Sequence, residues 1–170
     1  HLGVKFEELL NHKISLHVEE GLILPNLKMQ GKEDGCAFLN EKGRCTIHAF
    51  RPGFCRLFPL GRIYEDGSFS YYLQSQECTK ANRTKVKVNK WLGIPDLKQY
   101  ENFVNEWHYF LKDTKALLLR LSDAQLNQEL SMYLLNRFYT TAFDLESDFY
   151  KQFDERMTQM KKLIYTLDRQ

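Results

Sequence analysis

The chain has 170 residues, with 24 Lys and Arg against 22 Asp and Glu, so its formal net charge is +2. This length suits one domain, or one domain with a helical extension. Its 12 Phe, 9 Tyr and 2 Trp exclude a disordered chain, because so much aromatic area can offset chain entropy. No apolar run approaches the ~18 residues of a membrane helix, so we expect no membrane partner. The near-neutral charge argues against nucleic acid as a partner.

The beginning of the chain suggests a truncation. The first residue is His1, and an amphipathic stretch begins at once with Val4 and Phe6. A secretory signal would show a positively charged segment, an apolar segment and a cleavage site, and none of these is visible at the start of the sequence. We therefore expect a cytoplasmic, bacterial protein whose start has been cut off.

The first half of the chain predicts short elements. Residues 4–13 show helical spacing, whereas residues 14–18 and 22–27 resemble strands separated by Glu19, Glu20 and Gly21. A turn at 40–43 predicts a hairpin between 37–39 and 45–48. A second hairpin is predicted over 63–72, where Asp66-Gly67 is the turn signal.

The second half predicts long helices. Residues 96–170 contain no Gly, Pro or Cys, and apolar residues recur there at steps of three and four. Asp96, Ser122 or Asp123, and Ser147 or Asp148 can cap three successive helices. We predict an α+β, mostly helical fold, with a small cysteine-rich domain of short β-hairpins at 1–95. A helical extension at 96–170 would then form an antiparallel three-helix segment.

The four cysteines are the informative residues. Cys36, Cys45, Cys55 and Cys78 lie near Gly or Pro or in predicted loops, but no two form a C-x-x-C pair. Ten basic residues occupy 42–62 and 78–90, and neither stretch contains an acid. Positive neighbours lower thiol pKa values and balance an anionic thiolate–metal centre. The residues alone leave four interpretations open: a metal site, buried free thiols, two disulfides of a secreted protein, or a solvated basic face that binds phosphate.

Three segments carry a family resemblance. They are Gly35-Cys36-Ala37-Phe38-Leu39, then Gly43-Arg44-Cys45-Thr46-Ile47-His48, then Arg51-Pro52-Gly53-Phe54-Cys55-Arg56-Leu57-Phe58-Pro59. In this order they resemble the YkgJ-type cysteine-cluster family, a zinc- or iron-chelating domain of the CxxCxxCC type. The resemblance is tight over 35–59 and extends loosely to about residue 95, so the cysteine-rich part would be a cysteine-cluster domain.

The resemblance implies a ligand set. Cys36, Cys45, Cys55 and Cys78 would be metal ligands, and the cofactor would be Zn or an Fe–S cluster, between which sulfur ligands do not choose. The family carries a further cysteine run upstream that this sequence lacks. We expect that run before His1, in which case the four cysteines are half of the ligands. Without the other half they could bind no metal or be oxidised to disulfides.

Three further residues are candidates for supporting the metal. Arg51 and Arg56 flank Cys55 and could hydrogen-bond to sulfur or recognise an anion, or they could bond to loop carbonyls. His48 lies three residues after Cys45 and could ligate a metal or pair with Cys55 as a base. More often such a histidine is a hydrogen-bonded neighbour. Trp91 is predicted to pack the helical part onto the cysteine-rich part.

These observations lead to three functional hypotheses. The first is a metal-binding protein of undefined biochemical role, whose partner is the metal ion. The second is a protein-modifying enzyme that resembles flagellin lysine-N-methylase, which would add a protein substrate as partner. The third is a binding module in which a metal staples basic loops that contact an anionic partner. The residues leave open whether the protein is an enzyme.

Overall fold

A computed structural model describes residues 2–10, 12–31, 34–77 and 84–169. It confirms the predicted α+β, mostly helical class, with short antiparallel two-stranded sheets. The chain divides into two compact units. The first unit combines His1–Thr46 with Leu111–Gln170, and the second is Ile47–Phe110. The division into 1–95 and 96–170 that the composition suggests stays a prediction.

The first unit begins with a helix and two small sheets. Helix α1 is Phe6–Leu9, strand β1 is Ile14–Glu19 and strand β2 is Leu22–Leu27. Strands β1 and β2 pair antiparallel as predicted, and both turn residues, Glu20 and Gly21, have positive φ angles of 51° and 87°. Strands β3, Met29–Gln30, and β4, Gly35–Cys36, form the second ladder.

The second unit contains a hairpin and three helices. A 3₁₀ turn at His48–Phe50 precedes α2, Gly53–Leu57, and the hairpin follows as β5, Leu60–Glu65, and β6, Ser68–Leu73. Helix α3 is Val88–Leu92. Helix α4, Leu97–Arg120, begins in this unit and ends in the first. The predicted Asp66-Gly67 turn is confirmed, with φ angles of 49° and 76°.

The hairpin tip is held by helix α4. The Tyr109 hydroxyl accepts the Gly67 N–H at 3.0 Å and donates to the Ser68 carbonyl at 3.2 Å. Asn105 Nδ2 donates to the Gly67 carbonyl at 2.7 Å. These bonds satisfy turn groups that the two-stranded ladder leaves unpaired.

The remaining helices belong to the first unit. They are α5, Ala124–Leu135, continued by a π-helical turn at Asn136–Thr140, and α6, Phe149–Leu167. All three predicted caps are confirmed, beginning with Asp96, which accepts the Gln99 N–H at 2.9 Å at the start of α4. Asp123 accepts the N–H groups of Gln125 and Leu126, and Asp148 accepts that of Lys151. No helix in the described ranges is long and apolar enough to cross a membrane.

The core of the first unit lies between β2 and the helices. Strand β2 packs on α5, where the buried Ser131 hydroxyl accepts the Ile23 N–H at 2.7 Å. Each large apolar side chain buried there contributes roughly 1.5–3 kcal/mol. The buried apolar residues of this unit are Leu22, Ala37, Phe38, Leu117, Leu118, Leu130, Leu134, Leu135, Phe138, Phe153, Met157 and Met160.

A buried arginine closes the π-helical turn. Arg156 is only 7% exposed and donates to the carbonyls of Arg137, Thr141 and Ala142 at 2.7–2.8 Å. Its guanidinium lies 3.7 Å from the centroid of the Phe143 ring. Burial, and then the charge of Arg137, lowers the pKa of Arg156. The arginine thereby satisfies carbonyls that the helix end leaves without partners.

Three sequence predictions differ from the structure. The predicted helix at 4–13 shortens to Phe6–Leu9, because none of its residues is buried and a single turn gains little from its own hydrogen bonds. The predicted hairpin at 37–48 reduces to one bridge, Leu39 to Cys45, because Ala37 and Phe38 turn into the core. In α3 the buried anchor is Leu92, 1% exposed, whereas Trp91 is 44% exposed.

Candidate metal centre

Cys36 ends a short ladder beside the core of the first unit. It pairs with Met29, and the next residue, Ala37, donates its N–H to the Lys28 carbonyl at 2.8 Å. Ala37 and Phe38 are buried, and Lys13 Nζ donates to the Ala37 carbonyl at 2.5 Å. The cysteine is therefore half-buried directly before a fixed pair of core residues.

Cys45 follows a turn that one side chain organises. The Asn40 Oδ1 atom accepts the N–H groups of Lys42 and Arg44, both at 3.0 Å. The Asn40 carbonyl accepts the Gly43 N–H at 2.8 Å, and Gly43 has a φ of 67° that favours glycine. Cys45 comes out of this turn half-buried.

Both cysteines are attached to the same short segment. The Leu39 N–H donates to the Cys36 carbonyl at 2.9 Å, and Leu39 forms the antiparallel bridge with Cys45. After Cys45, the N–H and the hydroxyl of Thr46 both donate to the Phe38 carbonyl, at 2.8 and 2.9 Å. The structure thus brings Cys36 and Cys45 to one anchored segment, and both are free thiols.

Cys55 belongs to the second unit and lies on α2. The helix begins at Gly53, where an added Cβ would overlap the buried Tyr100 ring, and it buries Leu57. Helix α2 also packs on α3. Cys55 is half-buried, whereas its neighbour Phe54 is 73% exposed.

The arginines and the histidine near Cys55 have different surroundings. Arg56 donates from Nε to the Arg51 carbonyl at 3.3 Å and from Nη2 to the Ala49 carbonyl at 2.9 Å. The Arg51 Nε atom is buried and has no hydrogen-bond partner among the described residues. His48 is exposed at the start of the 3₁₀ turn. The role of these three residues around sulfur stays a prediction.

The described cysteines are the right kind of ligand for a metal that binds thiolates, but they are too few for a closed site. Cys78 lies outside the described residues, so the described thiols are Cys36 and Cys45 in one unit and Cys55 in the other. Within the described ranges, no three His, Cys, Asp or Glu side chains form a group that could hold a metal ion. A closed zinc site needs four ligands, and Cys36 and Cys45 together offer two sulfur donors.

An arginine lies among aromatic rings in the second unit. The Arg62 guanidinium is 5.3–5.9 Å from the centroids of Phe69, Tyr71 and Tyr100, and its Nη2 donates to the Tyr100 hydroxyl at 2.7 Å. Burial, and then the Glu101 carboxylate, raises the pKa of Tyr71 to about 12. The cluster joins β5 and β6 to α4 by packing and charge.

The second unit also contains an apolar groove of about 490 Å³. The Trp91 indole N–H donates to the Phe58 carbonyl at 3.2 Å and thereby holds the ring at the groove. The lining residues are Pro59, Leu60, Leu73, Thr84, Lys85, Val86, Val88 and Trp91. The basic residues of this stretch are evident in the sequence, but the groove is not, because its walls come from segments distant in the chain.

The Asn40 side chain is a second feature that sequence analysis missed. The turn at 40–43 was predicted, and an asparagine at the first position of a turn is a signal for side-chain bonding to the backbone. That signal identifies Asn40, whose side chain fixes the backbone turn directly before Cys45.

Comparison with known proteins identifies one family. The model described as "CxxCxxCC: Putative zinc- or iron-chelating domain" matches residues 4–90, just over half of the chain. The matched range includes all four cysteines. No curated protein and no solved structure gives a significant match.

Proposed function

The chain belongs to the CxxCxxCC family, and from this membership we propose that Cys36 and Cys45 are two thiolate ligands of a bound zinc ion or iron–sulfur cluster. The family description supports a metal-binding role for the chain. Thiolates are ligands for both zinc and iron–sulfur clusters. Cys55 and Cys78 are proposed as further ligands on the resemblance of their sequence motifs.

The shared anchor of Cys36 and Cys45 carries this proposal. Both cysteines flank the segment Ala37–Leu39, whose first two residues are buried, and backbone hydrogen bonds attach each side to it. A ligand pair on a pre-ordered backbone loses little conformational entropy when it binds a metal. Thiols in a loose loop would have no such advantage.

The bound metal would supply stability or electron transfer, depending on its identity. Four thiolates on zinc form a closed structural site, whereas an iron–sulfur cluster brings redox chemistry. The residues of this chain would hold the metal and stabilise its charge. The positive charge of Arg44, immediately before Cys45, would offset the negative charge of a thiolate–metal centre.

Metal content is the experiment that tests the proposal. The full-length protein, purified without oxygen, should contain zinc or iron, and an iron–sulfur cluster would add visible absorption. The double variant Cys36→Ser/Cys45→Ser should lose most of that metal. Met29→Leu is the matched control, because Met29 is the exposed ladder partner of Cys36 and the change removes no thiol.

Two outcomes contradict the proposal. The first is metal-free wild-type protein whose thiols are reduced and titrate fully. The second is a double variant that retains the metal content of Met29→Leu. In either case the segment Ala37–Leu39 would be only a structural anchor.

The other hypotheses stay predictions. A protein-modifying activity like that of flagellin lysine-N-methylase predicts binding of S-adenosylmethionine, which calorimetry measures. A cytoplasmic location is likewise a prediction.

A further inference from the structure

The groove of the second unit combines an apolar floor with a basic rim. Leu73, Val86 and Trp91 line it and are 44–49% exposed, so a large part of each side chain is available for contact. Partly exposed large apolar side chains that line one concavity mark a binding surface more often than chance scatter does. The groove lies wholly within the second unit.

The segment that supplies one wall of the groove carries positive charges. Lys85 is part of the wall, and Lys87 and Lys90 come from the segment that supplies Val86, Val88 and Trp91. All three lysines are exposed, and residues 78–90 contain no acid. The nearest acids along the chain are Glu77, which precedes this stretch, and Asp96, which follows it. An occupant with negative charge is therefore complementary to the rim.

We propose that this groove is a docking site for an acidic peptide segment with apolar anchor residues, contributed by a partner protein. The volume of about 490 Å³ accommodates a few apolar side chains. Lys87 and Lys90 do not line the groove, so only an occupant that continues beyond it can reach them. An extended peptide can contact both the groove and these lysines, and the concave shape favours a peptide over a membrane surface.

The anchor and the rim would contribute differently. A Trp is a frequent hot spot because it offers a large rigid surface, and here its indole N–H is already bonded to Phe58. The lysines would speed association and select acidic partners, and salt would screen them. No cysteine is among the described residues that line the groove, so the proposal invokes no metal.

The probe for the test is a short fluorescein-labelled synthetic peptide in which glutamates flank a phenylalanine and a leucine. Fluorescence anisotropy with the full chain should show saturable binding that weakens with salt. Lys85→Glu/Lys87→Glu should weaken binding by about tenfold or more. Lys42→Glu is the matched control, because it reverses an exposed lysine of the other unit and should leave binding unchanged.

The apolar contribution needs its own variants. Trp91→Ala should abolish most of the binding. Because Trp91 lies on a helix that packs on α2, Val86→Asp provides a second test on a segment without regular structure. Val86→Asp should also abolish binding while the thermal unfolding curve stays that of the wild type.

Four results would overturn the proposal. The first is the absence of peptide binding at low salt. The second is equal binding of a peptide whose Phe and Leu are replaced by Ser, since the groove would then be unused. The third is equal loss with Lys42→Glu. The fourth is binding to phosphatidylserine vesicles, but not to the peptide, that depends on Trp91 and Lys85, which would assign the surface to a membrane.

Discussion

Asn40→Ala should weaken zinc binding without unfolding the protein. The Asn40 Oδ1 atom accepts two backbone N–H groups at 3.0 Å in the turn that leads to Cys45. Each such bond contributes about 0.5–1.5 kcal/mol, and these two are exposed, so their loss costs about 1–2 kcal/mol. If metal binding must then order the turn, the Kd for zinc rises about 5- to 30-fold.

A competition titration against a chromogenic zinc chelator measures that change. Asn40→Asp is the matched variant, because it keeps the Oδ1 acceptor and should bind zinc nearly as tightly as the wild type. Two results would refute the reasoning: an unchanged Kd for Asn40→Ala, or an equal loss for Asn40→Asp. Thermal unfolding of the metal-free variants checks that the change is confined to the turn.

Further predictions concern stability. Met160→Ala should lower the free energy of unfolding by about 2–5 kcal/mol, since Met160 is fully buried, whereas Met132→Ala, at an exposed site, should stay within about 0.5 kcal/mol in denaturant titrations. Gly53→Ala should cost about 1–3 kcal/mol in the same assay, because the new Cβ overlaps the ring of Tyr100. Burial raises the pKa of Tyr71 from 10.0 to about 12. The neutral phenol is therefore favoured in the folded state, and its stabilising contribution is complete below pH 10.0 and is lost as the pH rises to about 12, which alkaline unfolding measures.

Each of these predictions has a contradicting outcome. If Met160→Ala and Met132→Ala lowered the free energy of unfolding equally, burial would not explain the size of the effect. Gly35→Ala is the control for Gly53→Ala, since its Cβ would meet Leu39 at an ordinary 3.6 Å, and equal stabilities would contradict the overlap argument. Tyr71→Phe should lack the alkaline loss, so an identical decline in variant and wild type would rule out Tyr71 as its origin.

Short sequence patterns predicted those parts of the fold that depend only on neighbouring residues. Asp66-Gly67 adopts positive φ angles in a two-residue turn, and this requirement is readable from the two residues alone. Asp123 and Asp148 cap helices because their short side chains reach the N–H groups of the next turn. The family could also be predicted, since the motifs around the cysteines lie in order along the chain.

The other features of the fold depend on burial against segments that are distant in the chain. The helical spacing at 4–13 did not extend the helix beyond one turn, because none of the residues of α1 is buried. Trp91 and Leu92 are adjacent and both apolar, yet only packing against the rest of the unit decides which of them is buried.

The sequence by itself determined the class of fold, the starts of the three long helices, the sharp turns and the cysteine-cluster family, because each depends on neighbours within a few residues or on motif order. Only the tertiary structure decided that Cys36 and Cys45 share the anchor Ala37–Leu39. It alone formed the groove at Trp91, whose walls come from segments far apart in the chain. Hydrogen bonds and burial between such segments depend on which parts of the chain meet in the tertiary fold, and no pattern of neighbouring residues encodes this.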